Sequence, residues 1–144
     1  MAEKDVTPDE KLVQERILAY RQLEERMDTL VRQQAAFASK AAEISSTLGA
    51  MDEVGRGRVD AMVPLGAAVY AKGKMDTAAK LLVEVGSDVA VERTPAEART
   101  ILEARRKDLV DAIEVLQKDV QAVSGMLQGI EAEMQAMMRA KGLK

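Results

Sequence analysis

The chain has 144 residues, a formal charge of −3 and a pI near 5.2, with 47% apolar, 31% charged and only 2% aromatic residues. Without His or Cys it lacks the commonest acid–base side chain and any thiol or disulfide chemistry, and its charge is not the basic footprint of a nucleic-acid binder. No apolar run is long enough for a bilayer, so no membrane partner is expected; the N-terminus lacks a secretory pattern, and the expectation is a cytoplasmic protein of one domain.

The first element is a long helix, expected over Pro8–Glu53. Thr7 can cap it, Pro8 suits the first helical position, and Glu10 completes a capping box. A heptad register runs through Val13, Arg16, Tyr20, Leu23, Met27, Leu30, Gln34, Phe37, Ala41, Ile44, Leu48 and Met51, and ten of these twelve are apolar. At 1.5 Å per residue such a helix is roughly 65–70 Å long. Ser45, Ser46, Thr47 and Gly49 weaken its last turns, so fraying is expected near Met51–Val54.

The middle block, Arg56–Arg93, is rich in Val and Gly. Strands are expected at Arg58–Val63, Ala67–Lys74, Lys80–Val85 and Val89–Arg93. They are separated by Pro64-Leu65-Gly66, Met75-Asp76-Thr77 and Gly86-Ser87-Asp88, which predicts two β-hairpins. Two isolated hairpins are marginal in water and expose unpaired backbone edges. The block is therefore expected to be an oligomerisation module that pairs into an intersubunit barrel, with Val63, Leu65, Val69, Leu82, Val83, Val85, Val89 and Val91 as its assembling residues.

A second helix is expected over Pro95–Ala140, opened by capping Thr94, Pro95 and Glu97. Its heptad core runs Leu102, Arg106, Leu109, Ile113, Leu116, Val120, Val123, Leu127, Ile130, Met134 and Met137. The matched lengths predict an antiparallel two-helix coiled coil in which residue n faces roughly residue 150 − n, so Met51 lies near Ala98 and Val13 near Met137. Two of the polar seam residues, Gln34 and Arg106, can each fix register; Arg106 is expected to reach Glu43 or simply to snorkel outward. Gly125 and Gly129 have the spacing of a membrane helix pair, but their neighbours are too polar for that, and a looser distal third of the helix is expected instead. The fold class is thus α+β, mainly α.

The segment Ala61-Met62-Val63-Pro64-Leu65-Gly66-Ala67-Ala68-Val69-Tyr70 resembles the Val-Pro-Leu-Gly turn of archaeal prefoldin alpha subunits. Val83–Arg93, continuing through Thr94, Pro95 and Glu97, is similar to the passage from their second hairpin into the C-terminal helix. The resemblance covers essentially the whole chain, with Arg16 at a seam position as one departure. It implies a hexamer of two alpha and four beta subunits, hairpins joined in a double β-barrel platform, and six coiled coils hanging from it. It also implies an ATP-independent holdase, without cofactor, whose tips capture unfolded client proteins and pass them to a group II chaperonin.

The residues supply a plausible place for that capture. Leu12, Val13, Ile17 and Leu18 near one helix end, and Met134, Met137, Met138 and Leu143 near the other, are the candidate client-binding residues. Met126 adds to the methionine content, and a flexible, polarizable thioether suits a surface that meets many partners. Glu15, Arg16, Glu133 and Arg139 are the charged neighbours. A second reading stands beside this one: Val13, Met134 and Met137 complete the coiled coil, and the others are ordinary surface. Off-seam Val31, Val110 and Val115 show that apolar spillage is not confined to the ends.

Enzymatic readings find no support in the residues. Ser39, Ser45, Ser46, Ser87 and Ser124 have no imidazole to activate them, and the glycines form no phosphate loop. The competing class is a structural protein that forms homomeric filaments or spacers through its hairpins.

Overall fold

In the computed structural model, residues 8–54, 58–76 and 80–142 are described. Helix α1 runs Pro8–Val54, strands β1 to β4 run Arg58–Gly66, Val69–Asp76, Leu81–Gly86 and Val89–Arg93, and helix α2 runs Pro95–Ala140. Thr7 and the Arg56-Gly57 start of the middle block lie outside the described residues, as does Thr77. The helix bounds match the heptad reading within a residue, and α1 continues to Val54 where fraying was expected.

The reason these segments are helical is their apolar spacing. On α1, all twelve predicted seam residues are buried or half-buried, and among residues 9–53 only Ala19 joins them. On α2, all eleven seam residues are likewise withdrawn from solvent. A repeat of 3.5 residues keeps one stripe facing a partner helix along the whole length. Thr94 caps α2 as expected: its hydroxyl accepts the Glu97 N–H at 3.2 Å and donates to the Glu97 carboxylate at 3.0 Å.

The chain forms two compact units, residues 1–37 with 112–144, and 38–111. In the first, the two helices are buttoned by Gln34 Nε2, which donates to Gln117 Oε1 at 2.7 Å, and by Tyr20 Oη, which donates to Glu131 Oε1 at 2.6 Å. Its core is Leu30, Val123 and Ile130. In the second, Arg99 pairs with Asp52, Arg106 Nη1 donates to Ser45 Oγ at 3.3 Å, and the core is Leu48, Val83 and Ala98. Every one of these cross-helix pairs obeys the 150 − n register to within a residue. Arg106 reaches Ser45 and not Glu43; Ser45 stands at the same register offset as the Gln34–Gln117 and Tyr20–Glu131 pairs, and Glu43 two residues off it.

Gly125 and Gly129 are exposed, and a Cβ at either would meet nothing within 4 Å. They serve no close helix approach, so their cost is purely one of backbone freedom. Gly125→Ala and Gly129→Ala are each expected to raise stability by about 1 kcal/mol in urea titrations followed by circular dichroism.

The strands form two separate two-stranded antiparallel sheets, β1 with β2 and β3 with β4. The turns differ from those expected. Pro64, Leu65 and Gly66 remain in β1, and Gly86 in β3; the chain reverses instead at Ala67-Ala68 and Ser87-Asp88. Both residues of each pair have positive φ, 46° and 63° in the first and 48° and 60° in the second. That is the conformation of a two-residue turn whose twist matches the flanking strands. In each hairpin the register shifts just before the turn, around Leu65 and Val85, and the glycine that follows has φ of 116° or 118°. Only glycine adopts that conformation without strain, which is why the Gly is placed one residue ahead of the turn and not within it. Pro64 is tolerated because β1 is an edge strand.

Candidate binding grooves and assembly surface

At the end of the terminal unit where both helices finish, Val13, Met134, Met137 and Met138 line an open groove of about 450 Å³, rimmed by Glu10, Gln14 and Lys141. Ile17, Tyr20, Met134 and Met138 line a second groove of about 350 Å³, rimmed by Arg21, Glu24, Glu131 and Gln135. Met134 and Met138, one helical turn apart, belong to the lining of both grooves. Five of the expected residues, Val13, Ile17, Met134, Met137 and Met138, are therefore brought together. Leu12 and Leu18 are exposed but line neither groove, and Leu143 lies outside the described residues.

Met134, Met137 and Val13 are half-buried, so they belong to the seam and to the groove at once. Among the described residues, the apolar floor is the last part of the coiled coil. The polar rims escaped the sequence reading, although the 150 − n register places Gln14 and Glu10 within one or two turns of Met137. Among the expected charged neighbours, Arg16 Nε lies 2.9 Å from Glu133 Oε2. The buried Nε has no hydrogen-bond partner, so this contact is an ion pair by distance whose N–H is not aimed at the carboxylate. Both side chains are more than a third exposed, and such a pair adds at most about 1 kcal/mol.

Tyr20 lines the second groove, hydrogen-bonded to Glu131. The pKa of its hydroxyl is held above the ordinary value of about 10, first by the hydrogen bond to Glu131, then by partial loss of water and by the negative charges of Glu131 and Glu24. A raised folded-state value means that the stabilising link is complete below about pH 10 and is lost as pH rises through the folded value. Titration of the phenolates by ultraviolet absorbance is expected to show a late component that Tyr20→Phe removes.

The hairpins present a different kind of surface. Val63, Leu65, Val69, Leu82, Val85 and Val89 are all exposed, as are Met62 and Tyr70, which the sequence reading omitted. Val83 is not part of this set: it is 9% exposed, and its cross-strand partner Val91 is half-buried. Arg105 Nη2 donates to the Glu84 carbonyl oxygen at 2.7 Å and ties α2 to β3. Val83 and Val91 thus support the unit itself, and the outward apolar residues are left without cover in this chain. Leu65 and Val85 sit at the register shifts and are exposed along with the residues around them.

Among the described residues no group of His, Cys, Asp or Glu is arranged to hold a metal, and no helix is long and apolar enough to cross a membrane.

A family model described as Prefoldin subunit matches residues 11–140. A prefoldin subunit alpha from Archaeoglobus fulgidus is 31% identical over 129 residues, covering 88% of this chain and 94% of that protein. One from Methanobrevibacter smithii is 28% identical over 106 residues, covering 72% and 73%. In fold, the chain is similar to a filamentous PFD from Methanocaldococcus jannaschii determined by cryo-EM, with a TM-score of 0.68, 20% sequence identity and coverage of 80% of this chain and 97% of that one.

Proposed function

The chain belongs to the prefoldin family, a family of chaperones, and on that footing we propose that it is an alpha-type subunit of an ATP-independent holdase acting in the cytoplasm. Its grooves hold apolar segments of unfolded proteins, and its hairpins join it to beta subunits in a hexamer of two alpha and four beta chains. The captured client is then delivered to a group II chaperonin.

The observation that carries this reading is the pair of methionine-walled grooves. An open apolar floor with mixed-charge rims can accept many side chains without selecting one. The test is a chain lacking Met1–Leu18 and Met134–Lys144. It is expected to assemble with beta subunits as the full chain does, judged by sedimentation, and to lose all suppression of client aggregation in light scattering. Undiminished suppression would sink the assignment of capture to these grooves.

A second reading, homomeric filaments built through the hairpins, draws on the unpaired strand edges and on the filamentous relative. It predicts long heterogeneous polymers from the purified chain alone and no mixing with beta-type subunits. A discrete complex formed only on mixing excludes it.

A further inference from the structure

Of the methionines around the two grooves, Met134 and Met137 are half-buried in the seam, whereas Met138 is 48% exposed. Met138 also borders both grooves. It is therefore the most exposed of the three, and any change in its polarity is felt in both grooves. We propose that Met138 is a reversible oxidation site that turns capture down. The inference rests on the capture reading given above.

The co-reactant is a hydroperoxide. The thioether sulfur attacks the terminal peroxide oxygen; an S–O bond forms, the O–O bond breaks, and water or an alcohol leaves. Sulfur is oxidised by two electrons and the peroxide is reduced. The product sulfoxide is polar and chiral, and methionine sulfoxide reductases reverse it. A sulfoxide in the shared lining of two apolar grooves has to be desolvated whenever a client side chain enters either one. Met134 and Met137, half-buried in the seam, offer less of their side chains to peroxide and react later.

Met126 supplies an internal comparison: it is 56% exposed on the same helix but borders neither groove. The experiment treats the assembled full-length protein with graded hydrogen peroxide, maps sulfoxides by peptide mass spectrometry, and measures protection of a chemically denatured client. Met138 and Met126 are expected to oxidise before Met134 and Met137. Protection is expected to fall roughly tenfold in step with the Met138 sulfoxide, as for a lost apolar contact, and to return on treatment with the reductases. Met138→Leu is expected to keep its protection under peroxide, and Met126→Leu is not. The proposal is overturned if Met134 or Met137 oxidises ahead of Met138. It is equally overturned if protection survives full oxidation of Met138, or if Met138→Leu loses as much as the unaltered chain. Failure of the untreated protein to protect any client is a separate result; it removes the capture reading and this inference with it.

Discussion

Leu82→Asp is expected to abolish assembly while leaving the chain's own unfolding almost unchanged, and Val83→Asp, one residue along, is expected to unfold the hairpin-bearing unit. Neighbouring residues of a strand point to opposite faces. Leu82 is 72% exposed in the single chain and Val83 is 9% exposed. A carboxylate at Leu82 stays in water until a partner covers it, so the cost falls on association alone. At Val83 it replaces an apolar side chain set opposite Val91, in a unit whose β3 backbone is tied to α2 by Arg105. Burying an unpaired charge there costs at least about 3 kcal/mol. Thermal circular dichroism and sedimentation velocity separate the two outcomes. Unchanged sedimentation of Leu82→Asp would count against barrel pairing through this face.

The second large effect is expected at Leu48. It is the most buried large side chain of α1, and nearby in sequence to its seam partners sits Ala98, which is 2% exposed. Leu48→Ala is expected to lower stability by about 2–4 kcal/mol, from lost burial plus the void left behind. Ala98→Leu should also destabilise, by about 1–3 kcal/mol, since a packed site has no room for three more carbons. By contrast Val31→Ala, off the seam and exposed, is expected to stay within about 0.5 kcal/mol of the parent. Urea midpoints at constant slope provide the comparison. A loss at Val31 equal to that at Leu48 would mean that the heptad seam is not what holds the helices.

The helices were legible because one rule governs them. A stripe repeating every 3.5 residues names the buried positions, and two stripes of equal length name their pairing; Gln34 with Gln117 and Tyr20 with Glu131 follow from that alone. The hairpins were harder. Pro64-Leu65-Gly66 has the residues of a turn, yet the reversal falls on Ala67-Ala68, whose positive φ no alanine prefers; the strand pairing imposes it. The inner and outer faces of β3 were also hidden, because Leu81, Leu82 and Val83 are apolar in succession and alternation has nothing to report. Arg105 to the Glu84 carbonyl joins a helix side chain to a strand backbone, and no local pattern encodes such a link. For the grooves, the apolar residues stood out by type, while their polar rims required the register to be applied one turn further.

The two hairpins share one design, with the same shift in register, the same glycine and the same pair of left-handed turn residues. In the language of polymer chemistry, the proposed joining through both hairpins would make the subunit a divalent monomer. Divalent monomers alone extend until their ends meet or run out. A monovalent comonomer terminates them, and the ratio of the two kinds then sets the degree of polymerisation. The size of the assembly is on this view a stoichiometric quantity: a closed particle and a long fibre differ in how much chain terminator is present, not in the chemistry of the bond.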